Sequence, residues 1–130
     1  MNGSLAAIRR GPPLVLVVDD DPDILEAVCD ILEGEGYRVA RARNGREALE
    51  RLDEEKPILI LLDLMMPVMD GLAFARALRG RERDRSIPIV VISADGDPQK
   101  AAALGARGFL AKPFDIDALL AEVASLAPPV

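Results

Sequence analysis

The sequence predicts an α/β fold, a single doubly wound domain of five βα units around a parallel sheet with helices on both faces. Short, strand-length apolar runs alternate with stretches of helical period. Three of those runs are uninterrupted Leu, Ile and Val, as in strands covered on both faces. The length of 130 residues suits one domain with one sizeable core. In order, Leu14 to Val18 is the first strand. Asp21-Pro22 then supplies an N-cap and a first-turn proline, ahead of Ile24, Leu25, Val28, Ile31 and Leu32 at helical spacing. Val39 to Ala42 is the second strand, and Asn44 with Glu47 three residues on opens a helix through Ala48, Leu49 and Leu52. Ile58 to Leu62 is the third, followed by an Asp70-capped helix from Leu72 to Leu78. Ile89 to Ile92 is the fourth, with a weaker helix from Pro98 to Leu104 and Gly105 as its left-handed cap. Gly108 to Ala111 is the fifth, before an Asp115-capped helix carrying Ile116, Leu119, Leu120 and Val123. Residues 1–13 read as a flexible N-terminal segment, 14–126 as the domain, and 127–130 as a tail or the start of a linker.

Composition excludes several function classes. With 22 acidic against 16 basic residues the net charge is −6, which disfavours nucleic acid and anionic membrane surfaces as direct partners. No apolar run approaches a membrane span, and the first 13 residues hold no secretory h-region, so a cytoplasmic protein is expected. Cys29 is the lone cysteine and reads as a small packed hydrophobe. Histidine is absent, which removes the usual general base and metal ligand. Only 3% of residues are aromatic, so the core must be aliphatic. The mixed-charge stretch from Arg79 to Arg85 reads as a solvated loop.

Five such units commonly wind in the order 2-1-3-4-5, with ligands bound beyond the carboxyl ends of the strands where the order reverses. Those ends carry Asp19-Asp20, Asp63, Ser93 and Lys112. Strands 1 and 3 are neighbours in this order, so three carboxylates meet where only a cation relieves their repulsion. Oxygen donors without His or Cys suit a hard cation, Mg²⁺ above all. A metal, a lysine and a hydroxyl around one carboxylate describe a phosphoryl-acceptor site with Asp63 as nucleophile. Asp21 and Asp70 are read as helix caps, a role already filled when Asp19 and Asp20 are considered.

The chain resembles the receiver domain of two-component response regulators. The resemblance rests on Leu16-Val17-Val18-Asp19-Asp20-Asp21, on Ile60 to Leu62 followed by Asp63-Leu64-Met65-Met66-Pro67-Val68-Met69-Asp70-Gly71, on Val91-Ile92-Ser93-Ala94, and on Gly105-Ala106 through Phe109-Leu110-Ala111-Lys112-Pro113-Phe114. It covers Leu14 to Leu126 and implies a flavodoxin-like (βα)5 fold. By resemblance, Asp63 is the phosphoacceptor, and Asp19 and Asp20 hold Mg²⁺ together with the backbone carbonyl of Met65. Ser93 is the switch hydroxyl, bonding the phosphoryl group with the Ala94 amide, and Lys112 pairs with the phosphoryl oxygens. The Lys112-Pro113 bond is expected to be cis. Phe109 stands at the aromatic switch position, with a plain core aromatic as the alternative. Ile24, Pro113 and Phe114 are partner-docking candidates.

The expected function is therefore that of a signalling phosphoacceptor rather than a turnover enzyme. It accepts a phosphoryl group from a sensor histidine kinase or histidine phosphotransfer protein, and acts through a downstream protein or an effector domain outside this sequence. A monomer or a phosphorylation-dependent dimer is expected. Rival readings fit less well. A haloacid-dehalogenase-type phosphatase needs Asp-x-Asp-x-Thr after the first strand, and Asp19-Asp20-Asp21-Pro22-Asp23 lacks the threonine. A calcium loop starting at Asp19 puts Ile24 where the turn glycine belongs. Bound FMN phosphate would be repelled by three aspartates in the first loop. A receiver fold that only binds partners leaves the full set of five site residues without a role.

Overall fold

The computed structural model describes residues 12–94 and 97–127. Five strands and five helices alternate along them. The strands are β1 (Leu14–Val18), β2 (Arg38–Ala42), β3 (Leu59–Leu62), β4 (Ile89–Ser93) and β5 (Gly108–Ala111). The helices are α1 (Pro22–Gly34), α2 (Gly45–Glu54), α3 (Gly71–Arg79), α4 (Pro98–Ala103) and α5 (Ile116–Leu126). All strand pairs are parallel, in the order β2-β1-β3-β4-β5, as the alternation predicts.

The central strands show why this order holds. Every residue of β1, β3 and β4 is buried, whereas the edge strands β2 and β5 are largely half-buried. Alternate residues serve opposite faces, as the period of a strand requires. Leu16, Val18, Ile60, Leu62, Ile89 and Val91 pack with Leu52 of α2 and with Phe74 and Leu78 of α3. Val15, Val17, Leu59, Leu61, Val90 and Ile92 pack on the other face, with Leu25, Val28 and Leu32 of α1 and Leu119 and Val123 of α5. Cys29 lies fully buried in this second layer, its thiol pushed up to about 11 by that burial, so it behaves as a packed hydrophobe.

Each helix starts on a side-chain cap. Asp21, Asn44, Asp70, Asp97 and Asp115 accept backbone N–H groups of the first turns, relieving donors that have no partner within the helix. Glu47 completes the second start by accepting the Arg43 N–H at 2.9 Å. Gly105 takes φ of +80°, the left-handed conformation expected after α4.

The first and last described residues meet the sheet at its amino edge. Of the expected N-terminal segment only Pro12 and Pro13 fall within the described residues, and their carbonyls accept hydrogen bonds from Arg38. Of the expected 127–130 tail only Ala127 does; it is buried, and its carbonyl accepts the Tyr37 hydroxyl.

One expectation holds only in part. Gly80, Glu82, Arg83 and Arg85 of the Arg79–Arg85 stretch are exposed, but Asp84 is fully buried. Its carboxylate accepts Arg81 Nε at 2.7 Å and Arg83 Nε at 3.3 Å. Arg81 also reaches Asp53, and Arg83 donates to the Leu52 carbonyl at 2.6 Å, so the stretch is tied to the end of α2. Burial alone would raise the Asp84 pKa, but the hydrogen bonds of Arg81 and Arg83 outweigh it and hold the carboxyl below its ordinary value. The stabilisation is therefore present above the usual aspartate range and is lost as pH falls through the lowered folded value. Asp84→Ala is expected to cost about 2–3 kcal/mol, lowering the melting temperature by roughly 10 °C at neutral pH. Thermal unfolding of the two chains measures it.

Candidate functional site

The parallel sheet brings the carboxyl ends of β1, β3, β4 and β5 to one edge. The register pairs Val18 with Leu62, so the residues that follow, Asp19 and Asp63, leave neighbouring strands side by side. Backbone bonds fix them there: Asp63 N–H donates to the Val18 carbonyl at 3.0 Å, and Asp19 N–H to Ala42 at 3.0 Å. Ser93 closes β4 in register with Ala111 of β5, and the next residue, Lys112, donates its N–H to the Ser93 carbonyl at 2.9 Å.

Three of the expected residues form one cluster. Carboxylate oxygens of Asp19, Asp20 and Asp63 lie within 4.8 Å of one another. Asp19 and Asp63 are buried at 3% and 4% exposure, while Asp20 is open to solvent. Lys112 enters as their counter-ion, with Nζ 2.8 Å from Asp19 Oδ2 and 3.5 Å from Asp63 Oδ2. Asp63 Oδ1 accepts the Met65 N–H at 3.1 Å, and Asp19 Oδ1 accepts the Asp21 N–H at 2.9 Å. The donor set is all oxygen and offers no histidine or thiolate, which fits a hard divalent cation such as Mg²⁺.

The electrostatics follow from burial. Desolvation pushes the Asp63 carboxyl up to about 6, with Asp19 and Asp20 adding repulsion, while the Met65 amide and Lys112 act against the rise. Burial works against the Lys112 ammonium, but its hydrogen bond to Asp19 and the charges of Asp19 and Asp63 prevail, so its pKa is raised.

The remaining expected residues lie around this cluster. Ser93 is fully buried, and Ala94 beyond it is exposed. Phe109 is half-buried on β5, packed against the layer that holds Phe74. Met65 is exposed at 65%. The Lys112-Pro113 bond is cis. Ile24, Pro113 and Phe114 line one cavity of about 570 Å³ together with Ala94 and Lys112.

Two glycines and a valine that the sequence reading left without a role shape the loop between β3 and α3. A Cβ on Gly71 would stand 2.7 Å from the Asp63 carbonyl oxygen, and one on Gly45 would stand 2.6 Å from the Met69 side chain. Val68 between them has φ of +67°. The Asp70-Gly71 pair was the available signal, since a glycine directly after a cap marks a close approach of backbone.

A doubly wound sheet with an oxygen-lined cation site and a lysine at its switch point defines a class of phosphoryl-accepting signalling domain. The chain matches the response regulator receiver domain over residues 15–124, and it belongs to that family. It is 41% identical over 118 residues to response regulator MprA of Mycolicibacterium vanbaalenii, covering 88% of this chain and 50% of that protein. It is also 41% identical over 117 residues to transcriptional regulatory protein PrrA of Mycobacterium tuberculosis, covering 88% and 49%. The chain thus spans about half the length of these curated relatives. Among solved structures, chemotaxis protein CheY4 of Vibrio cholerae superposes with a TM-score of 0.82 at 35% identity, covering 88% of this chain and 98% of that one. The receiver domain of sensor histidine kinase PA1611 from Pseudomonas aeruginosa, described with a magnesium ion in its active-site cleft, gives 0.81 at 29% identity, covering 88% and 97%. This chain is a receiver domain of the two-component response regulators. No helix among the described residues is long and apolar enough to cross a membrane.

The raised Asp63 pKa sets the sign of a pH effect. The folded metal-free protein holds this proton up to about pH 6, the unfolded chain only to about 4, so stability increases as pH falls through the folded value. Between pH 7 and pH 5 this group should add about 1 kcal/mol. Asp63→Asn should remove that increment and melt above the metal-free wild type at pH 7. Denaturant titrations of both chains at the two pH values test it.

Proposed function

We propose that Asp63 accepts a phosphoryl group from a phosphohistidine of a partner protein. The observation that carries this is its place at the carboxyl end of the middle strand, β3. Asp19 and Asp20 flank it from the end of β1, and Ser93 and Lys112 from the ends of β4 and β5. Asp19, Asp20 and Asp63, with the backbone carbonyl of Met65, would hold Mg²⁺, which when bound neutralises charge on the transferring phosphoryl oxygens.

The residues of the chain divide the remaining work. A carboxylate oxygen of Asp63 attacks phosphorus, forming a P–O bond as the P–N bond to the partner's imidazole breaks and its electron pair leaves with nitrogen. Lys112, already 3.5 Å from Asp63, pairs with the phosphoryl oxygens and offsets their charge in a buried setting. The Ser93 hydroxyl and the Ala94 N–H bond to the same group, and the inward movement of Ser93 vacates space into which the Phe109 ring turns. Water later hydrolyses the acyl phosphate and restores Asp63. The protein is accordingly a signalling phosphoacceptor rather than a turnover enzyme.

The donor histidine lies outside these residues, which contain none, and belongs to a sensor histidine kinase or histidine phosphotransfer protein. Ile24, Pro113 and Phe114, on the apolar cavity beside Lys112, are its docking surface. Output passes to a downstream protein or to an effector domain outside this sequence, from a monomer or a phosphorylation-dependent dimer in the cytoplasm. Its acidic charge speaks against direct contact with nucleic acid or membrane.

With Mg²⁺ present, acetyl phosphate should label the wild type, seen as one added phosphoryl group by intact mass. Asp63→Ala and a chelator-treated wild type should stay unlabelled; a phosphoryl group on Asp63→Ala would refute the assignment unless it maps to a neighbouring carboxylate.

Ser93→Ala should still be labelled but lose the conformational response. Amide NMR shifts along β5 on activation, unchanged by this substitution, would break the proposed link from Ser93 to Phe109.

A further inference from the structure

A groove runs between α3 and α4, away from the carboxylates and from the cavity beside Lys112. It measures about 350 Å³ and is lined by Leu72, Ala75, Arg76 and Arg79 of α3 and by Ala103 and Leu104 at the end of α4. The α3 residues recur at intervals of three and four, so they form one stripe of that helix. Ala75 and Leu104 give the groove an apolar floor that joins the core layer around Phe74. Ala103 is exposed and brings only a methyl group to the rim, which leaves the gap between the helices open.

The charge of this region runs against that of the chain. From Arg76 to Arg107 seven basic residues stand against four acidic ones, whereas the whole chain holds 16 against 22. On β2 and α2 the arginines are neutralised: Arg38, Arg41 and Arg51 each lie within 3.0 Å of a carboxylate. Among the described residues no carboxylate pairs with Arg76 or Arg79. Arg79 donates instead to two neutral groups, from Nη1 to the Arg85 carbonyl at 2.7 Å and from Nη2 to the Leu104 carbonyl at 3.5 Å. Those bonds fix the guanidinium at the groove without cancelling its charge, so little ordering remains to be done when a partner arrives.

We propose that this groove docks an acidic amphipathic helix of a partner protein, its apolar face on Leu72 and Leu104 and its carboxylates on Arg76 and Arg79. Arginines at i and i+3 present cations one helical turn apart, which matches carboxylates three or four residues apart on a facing helix. A long polyanion suits the site less, because the net charge of −6 repels it everywhere outside the groove. The groove lies on the Phe74 face of the sheet, whereas Ile24 and Phe114 pack into the layer on the other face. A helix docked here leaves the phosphodonor surface free, and the proposal stands whether or not Asp63 is the acceptor.

The test offers the whole chain to a displayed library of helical peptides about 16 residues long, varied on both their apolar and their charged faces. Selected peptides should carry Asp or Glu three or four residues apart, beside Leu or Phe. Amide NMR shifts on adding one of them should map to α3 and α4. Arg76→Glu and Ala103→Glu, both at exposed positions, should each weaken binding by about tenfold or more. Their melting temperatures should stay close to that of the wild type, which separates lost docking from lost folding. An empty selection, peptides without acidic residues, shifts confined to other faces, or binding indifferent to both substitutions overturns the proposal. So does a short single-stranded oligonucleotide that binds the groove more tightly than the selected peptides. Self-association through the groove without peptide would make the occupant a second copy of the chain and overturn it as well.

Discussion

Three carboxylates crowd the switch point of this sheet, and the ammonium of Lys112 is what lets the fold hold them together. Without it, Asp19 and Asp63 would be two nearly dry charges on adjacent strands with only the amides of Asp21 and Met65 to offset their repulsion. The ammonium lies closer to Asp19, at 2.8 Å, than to Asp63, at 3.5 Å. Asp19 is thus the better neutralised of the two, and Asp63 keeps a carboxyl that burial pushes up to about 6. The proposed nucleophile is thus the carboxylate the fold leaves less well satisfied, as befits a reactive group. A divalent cation bound there would relieve the repulsion among the three carboxylates.

The same residue type performs two separable tasks along this chain. Asp21, Asp70, Asp97 and Asp115 accept backbone N–H groups at helix starts and sit at the surface or half-exposed. Asp19 and Asp63 stand directly after fully buried strands, and their carboxylates face a lysine and each other. The distinction is one of position relative to the strand end. Two residues beyond Asp19, Asp21 meets the first turn of α1 instead of the edge of the sheet.

That distinction explains why so much was legible in the sequence. The caps and the left-handed Gly105 follow from local chemistry at strand-to-helix junctions, and the grouping of Asp19, Asp20, Asp63 and Lys112 follows once the common 2-1-3-4-5 order is taken. What escaped the sequence depends on contacts between distant segments. Asp84 looked like one charge in a solvated run because its burial is completed by Arg81 and Arg83 reaching Asp53 and Leu52 on another helix. The role of Gly71 depends on how closely α3 approaches the end of β3. Val68 carried no signal at all, because valine is a poor choice for a positive φ, yet it takes +67° there.

The Tyr37 hydroxyl bonded to the Ala127 carbonyl has a spectroscopic consequence. Tyr37 is the only tyrosine, and the chain has no tryptophan. It precedes β2, at the amino edge of the parallel sheet, whereas the carboxylates gather at the opposite edge. Intrinsic ultraviolet emission therefore comes from a buried ring that senses whether β2 and the end of α5 remain joined. It reports the integrity of the whole sheet and is nearly blind to what occupies the cleft. Optical work on this protein can thus follow unfolding without a label, but observing the site by light calls for a fluorophore placed on the far rim.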